Sequence, residues 1–258
     1  METQKQDSKK AKQNTSALTT QASKDLALAD DLQGSWGAEE ASAEDIIIPK
    51  LLLMHGQSEL VLQGEKSVGE LIKSTDKTVM AKRGEKINII PFKMFKTWRI
   101  SEIVGGQAEW RGEEPWNAAN TDLPWDFQSE DGKTMRRDQA YNFYALITKD
   151  IGTDKSFPVR IQFLRTSKKA GRVLADHFAQ SRMQNKPPAL MTFDIGSEFV
   201  NGEEQKYFVF TSAYGPASTT EQIQEAKKWF LEINKAGDKV KNDDGEVTAV
   251  VDDAKSEF

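Results

Sequence analysis

Between Lys155 and Lys186 the chain carries eight cations, Lys155, Arg160, Arg165, Lys168, Lys169, Arg172, Arg182 and Lys186, against one acid, Asp176. Lys168, Lys169 and Arg172 fall in the first turns of a segment with helical periodicity. There the backbone dipole is already positive, and each cation is unfavourable by ~0.3–1 kcal/mol. A bound anion relieves that cost, so the pattern describes a phosphate grip at a helix N-terminus. The same residues also fit a solvated helix face that tolerates modest repulsion. A second group, Lys82, Arg83, Lys86, Lys93, Lys96 and Arg99, is interleaved with Phe92, Phe95 and Trp98. Cations along strands beside aromatic rings suit an extended nucleic-acid strand: charge follows the phosphates, and each stacked base contributes ~1–3 kcal/mol. Because Phe92 and Met94 alternate with Lys93 and Phe95, one of the aromatics belongs to a core, and Trp98 is the ring expected at the surface.

The chain closes on DDGEVTAVVDDAKSEF, Asp243 to Phe258. Asp243, Asp244, Glu246, Asp252, Asp253 and Glu257 against Lys255 account for a charge the size of the protein's whole formal −5. The body is therefore near neutral, and any basic face is local. Such a tail is either a solvated terminus without a task or a segment that occupies a cationic groove and presents an aromatic hook to partners. In the second reading Asp252, Asp253, Glu257 and Phe258 carry the contact.

The inventory excludes several chemistries. Cysteine is absent and His55 and His177 are the only histidines, so disulfides, thiolate zinc sites and histidine-clustered zinc enzymes do not arise. No GxxxxGK[ST], GxSxG, HExxH or kinase signature occurs. Scattered carboxylates could still build a metal-dependent nuclease, which leaves no local spacing to recognise. The expectation is a protein that is not an enzyme and needs no cofactor. No apolar run approaches the roughly 20 residues of a membrane helix, and Met1 to Thr20 is polar. A soluble, cytoplasmic protein follows as an expectation.

The elements that must position these residues are mainly β. Met1 to Glu44 is polar, with Leu18, Leu26, Leu28, Leu32 and Trp36 as its bulky apolar groups, and reads as a disordered arm. The body, residues 45–237, opens on a buried extended run through Ile46–Ile48, Pro49 and Lys50–Met54. Strands are predicted over Val68–Lys73, Lys86–Phe95, Asn142–Thr148, Phe157–Leu164, Ala189–Ile195 and Lys206–Ser212, with Asn201-Gly202 as a hairpin turn between the last two. In the fourth, Val159, Ile161 and Phe163 alternate with Arg160, Gln162 and Leu164, which assigns the first set to a core and the second to a face. One helix is predicted over Thr166–Gln180, capped by Thr166 or Ser167, with Ala170, Val173, Leu174 and Phe178 inward. Another runs over Thr219–Ala236 behind a Ser218/Glu221 capping box. Ile223, Ala226, Phe230 and Ile233 form its stripe and Gly237 its stop. Residues 105–137, with Trp110, Trp116, Trp125 and Phe127, show little periodicity and read as an insertion. It is a packing flap, a subunit contact or a stacking loop, in that order. Residues 238–258 form the acidic tail. Short strands with tight turns and peripheral helices point to a small barrel or sandwich.

With its tail DDAKSEF (Asp252–Phe258) and its basic helix inside a body of short strands, the chain resembles the single-stranded DNA-binding proteins of tailed bacteriophages. IIIPKLLLMHGQSELV (Ile46–Val61), NFYALIT (Asn142–Thr148) and IQFLRTSKKAGRVL (Ile161–Leu174) are similar to segments of phage proteins of this length. The resemblance implies an OB-like small barrel, the oligonucleotide/oligosaccharide-binding fold, in the host cytoplasm. It implies DNA replication and recombination work: coating single-stranded DNA, self-associating, and recruiting polymerase, helicase or nuclease through the tail. The residues expected to contact DNA are Lys82, Arg83, Lys93, Lys96, Trp98, Arg99, Arg160, Arg165, Lys168, Lys169 and Arg172. The long N-terminal arm and the Trp-rich insertion depart from that family's pattern. The alternatives are a phage-encoded interaction protein that inhibits a host enzyme, and the nuclease.

Overall fold

A computed structural model describes residues 46–202, 206–237 and 241–242. Period-two alternation of β-branched and aromatic residues builds one large curled sheet. Its strands are β2 (Lys50–Leu53), β3 (Leu71–Lys73), β4 (Val79–Ala81), β5 (Lys86–Val104), β6 (Gln107–Pro115), β7 (Asp126–Gln128), β8 (Thr134–Ile147), β9 (Val159–Phe163), β10 (Met191–Asn201) and β11 (Lys206–Ala217). The order across the sheet is β11-β10-β5-β8-β9-β2-β3-β4. Neighbours are antiparallel except β9 and β2, where Lys50 lies opposite Arg160. The strands β5 and β8 are long enough to outrun their other neighbours. Past β10, the far half of β5 pairs with β6, and the far half of β8 pairs with β7 rather than β9.

The curl brings the two ends of the strand order together. Ser197 Oγ on β10 donates to the Gly69 carbonyl just before β3, and the Phe208 ring of β11 lies against Gly69, where a Cβ would come within 2.6 Å of it. Positive φ and this close approach both require glycine at 69. Inside the resulting half-barrel, Leu51, Leu71, Ile89, Phe143, Ile161, Phe163, Phe193 and Phe210 form the main core. It is plugged by α2 (Lys168–Met183), which inserts Ala170, Gly171, Leu174 and His177. Gly171 lets the helix sit directly on β9, since a Cβ there would lie 2.7 Å from Phe163 Cβ.

On the opposite face a smaller core of Ile48, Ile90, Phe92, Tyr144 and Leu146 is covered by α3 (Thr220–Ala236) through Ala226 and Ile233. A short helix α1 (Glu59–Leu62) connects β2 to β3. After α3 the backbone returns, and β12 (Lys241–Asn242) bridges β1 (Ile47–Ile48) in parallel.

A mainly β body with few helices is as the sequence predicts; three details differ. Residues 105–137 hold two further strands and the start of β8 instead of a non-periodic loop. β6 hydrogen-bonds to β5 alone, so polar side chains replace the apolar alternation that would mark a buried strand. The cap of α3 is Thr219 with Gln222, one residue past the predicted pair. Its buried seam includes Trp229, packed on Phe157 with ring centroids 5.0 Å apart, while Phe230 turns outward at 39 % exposure. Periodicity permits either neighbour, and the apolar surface around Phe157 selects Trp229. Antiparallel pairing of β10 with β11 places Asn201 opposite Lys206, as a hairpin requires. Residues 1–45, 203–205, 238–240 and 243–258 lie outside the described residues, and with them the predicted arm and all of the predicted tail except Lys241 and Asn242.

Candidate nucleic-acid interface

The turn from β9 into α2 gathers cations. Arg165 sits in a single 3₁₀ turn, Arg165–Ser167, ahead of the helix, with a φ of +40°. A non-glycine residue in the left-handed region costs of order 1–3 kcal/mol and persists where its surroundings hold it. Here Arg165 Nε and Nη2 both donate to Asp138 Oδ2 at 2.9 Å, and Asp138 is buried on β8. Lys168 follows, half-buried, its ammonium 4.7 Å from the centre of the exposed Trp125 ring. Burial holds Lys168 below the ordinary lysine range; Asp138 acts against that shift, and the neighbouring Arg172 and Arg165 charges add to it. Lys169 and Arg172 stand exposed on the first turns. No side chain caps the helix: Ser167 is the N-cap residue, but its Oγ accepts from the Phe210 amide instead. Four cations and an indole therefore gather at the start of α2.

Beside this edge lies a buried polar network. Asn142 on β8 accepts from Arg160 Nε at 3.0 Å and Nη2 at 2.8 Å, and donates to Thr97 Oγ1 at 2.9 Å. Arg160 Nη2 also pairs with Glu113 of β6, whose other oxygen accepts from Gln162 at 2.7 Å. Burial alone would raise the Glu113 carboxyl; the Arg160 charge and the bonds from Gln162 and Arg160, with Lys50 nearby, outweigh it and hold the group below the usual range. A cavity of about 170 Å³ opens over this network, between β2, the β5–β6 hairpin and the turn into α2.

The structure separates what the sequence grouped. Arg165, Lys168, Lys169 and Arg172 do share a surface. The run from Lys82 to Arg99 is dispersed. Lys82 and Arg83 are exposed on the β4–β5 turn, with the Arg83 guanidinium 5.0 Å from the Phe208 ring centre and 5.9 Å from the exposed Phe199 ring. Lys93 lies opposite Tyr144 on the face that carries α3. Lys96 turns to the other face, 4.5 Å from the Trp116 ring and 5.3 Å from Tyr141. Arg99 lines the cavity.

Two expected contacts are corrected. Trp98 is 4 % exposed and its indole nitrogen donates to Asn120 at 3.1 Å, so the ring packs under the insertion and offers no face to a base. Arg160 is 2 % exposed and consumed by Glu113 and Asn142, so it is a structural cation rather than a phosphate contact. Alternation assigned Arg160 to a face, but β6 folds over that face. The insertion behaves first as the packing flap: Trp116 and Phe127 cover Lys96 and Arg137. Trp110 and Trp125 remain exposed.

Sequence reasoning missed Lys50, His55 and Ser101 on the cavity wall and Phe199 beside Arg83, while Trp110, named in the insertion, also lines that wall. Lys50 inside an otherwise apolar strand was the one available signal. Among the described residues no group of three or more histidines or acidic residues could hold a metal, and no helix is long and apolar enough to cross a membrane. No protein-family model, curated protein or solved structure matches the chain.

Proposed function

We propose that the protein binds single-stranded DNA on an OB-like half-barrel and coats exposed strands during phage replication or recombination. The observation that carries this reading is the N-terminal edge of α2, where Lys168 lies 4.7 Å from the centre of the exposed Trp125 ring, the Arg165 and Arg172 charges act on it, and Lys169 stands exposed beside it. Phosphates neutralise the repulsion among those cations, and an indole accepts any base by stacking, which gives affinity with little sequence preference. Arg83 on the β4–β5 turn and Phe199 on β10 repeat the pairing of cation and exposed ring. A rigid duplex keeps its bases stacked internally and leaves the rings unused, so single strands are favoured.

In the same reading the acidic tail, ending Asp252, Asp253, Glu257 and Phe258, competes with DNA for the cationic edge and recruits replication proteins once displaced. The test is fluorescence anisotropy of a labelled oligothymidine, with a duplex of equal length in parallel, using the intact chain and a form ending at Asn242. That end point keeps the β1–β12 bridge. Preferential single-strand binding that tightens on truncation is expected. Equal affinity for the duplex refutes strand selectivity, and unchanged or weaker binding by the shortened form refutes tail competition.

A further inference from the structure

Arg137, near the start of β8, carries a charge that the fold leaves uncompensated. Arg136 before it pairs with Asp126 of β7 at 3.0 Å, and Asp138 after it is held by Arg165. Side chains alternate along a strand, so Arg137 points to the face opposite both. There its guanidinium carbon lies 3.7 Å from the centre of the Phe127 ring. Among the described residues no carboxylate pairs with it, and its Nε is buried without a hydrogen-bond partner. The two terminal nitrogens of this half-buried side chain keep contact with solvent.

A charge drawn partly out of water is unfavourable unless it is paired, and a ring face recovers only part of the loss. Such an exception in an otherwise satisfied fold belongs where a ligand completes the bonding. The guanidinium fixes the sign of that ligand as negative. Position supplies its identity. The Arg137 amide donates to the Trp125 carbonyl at 2.7 Å, which extends the β7–β8 pairing by one residue and sets Arg137 directly beside Trp125. The exposed Trp125 ring in turn lies 4.7 Å from the Lys168 ammonium. Arg137 therefore continues the cationic start of α2 onto the insertion, with Trp125 as the residue that touches both. Stacking on Phe127 holds the plane of the guanidinium, and its in-plane N–H groups match the oxygens of a phosphate.

We infer that Arg137 is a DNA contact that binds a backbone phosphate, so that a single strand held at the start of α2 continues past Trp125 onto the β7–β8 hairpin. This contact rests on the single-strand binding proposed above and extends it to a residue of the insertion. Arg160 is the instructive contrast: its charge is satisfied inside the fold by Glu113 and Asn142, whereas that of Arg137 is not. A structural cation strengthens the free protein, while a charge that awaits its ligand weakens it, and stability measured without DNA separates the two roles.

The full-length protein, Arg137→Met and Arg137→Lys would be compared by anisotropy of a labelled oligothymidine over a series of salt concentrations, and by urea unfolding without DNA. Methionine keeps an unbranched chain against Phe127 and removes the charge. Arg137→Met is expected to weaken binding about tenfold, the loss of one hydrogen bond between charged groups. Its log–log salt slope should fall by about 0.7, one single-strand phosphate contact, while its urea midpoint equals or exceeds the native one. Arg137→Lys should restore the slope. Native binding with slope and affinity unchanged in Arg137→Met overturns the inference and leaves single-strand binding standing. Weaker binding together with a lowered urea midpoint also overturns it, by making Arg137 a structural residue. Absence of oligothymidine binding by the native protein refutes both.

Discussion

Glu113→Gln removes a charge through which β6 is tied to β9. In the native protein the Glu113 side chain is 15 % exposed and its partner Arg160 only 2 %. Removing the negative charge strands a guanidinium that water cannot reach. Breaking a buried pair typically costs ~3–5 kcal/mol. Two features pull this case toward the lower end: Asn142 still accepts two bonds from Arg160, and Gln at 113 can still accept from Gln162. A loss of about 3 kcal/mol is therefore expected.

The measurement is urea unfolding of both proteins at pH 7, read as a lower midpoint at unchanged slope. The dependence on pH gives an independent check. Arg160 and Gln162 overcome burial and depress the Glu113 carboxyl in the folded state. Its contribution is thus complete above the unfolded glutamate value of ~4.3 and disappears as pH falls through the lower folded value. The difference between the two proteins should shrink below about pH 4. A difference below 1 kcal/mol at pH 7, or one that stays constant down to pH 3, would refute the reasoning.

Three further outcomes are expected. Replacing Lys168, Lys169 and Arg172 with alanine should reduce the log–log salt slope of oligothymidine binding by about 2, from ~0.7 per single-strand phosphate contact; an unchanged slope places the phosphates elsewhere. Oligothymidine affinity should fall as pH rises through the lowered Lys168 value, because only the ammonium attracts phosphate, and Lys168→Gln should flatten the part of that profile lying below the ordinary lysine range; an equally steep variant profile assigns the titration to another group. Gly171→Ala gains about 1 kcal/mol of helix propensity, but its Cβ would lie 2.7 Å from Phe163 Cβ and 3.2 Å from Tyr141 Cβ. Those atoms are anchored at the backbone, so overpacking of ~1–3 kcal/mol prevails and the thermal midpoint drops; a raised midpoint would show that α2 can lift off the sheet.

Much of the scaffold is legible in the chain. Alternation in VRIQF correctly sends Val159, Ile161 and Phe163 inward, and the apolar spacing of Ala170, Leu174 and Phe178 correctly marks the inner face of α2. Gly237, at φ +61°, ends α3 where predicted. These features are local: they depend on side-chain period and backbone preference within one element. Errors arise where a second layer decides. Trp98 and Arg160 each sit on the strand face that alternation assigns them, yet the flap closes over one and β6 over the other. Phe230 and Trp229 are adjacent on α3, and only the surface beneath chooses between them.

By itself, then, the sequence determined the mainly β character of the body, the inward set of β9 and the inner face of α2, the cationic start of α2 and the concentration of negative charge in the last sixteen residues. Tertiary structure alone decided which of those faces meet solvent, and it alone assembled Lys50, Arg99, Ser101, Trp110 and Arg165 around one cavity. The physical reason is register. Period and propensity act over a few residues, whereas the pairing of β5 with β6 and of β2 with β9 fixes which distant side chains become neighbours, and that pairing is set by the packing of the whole core.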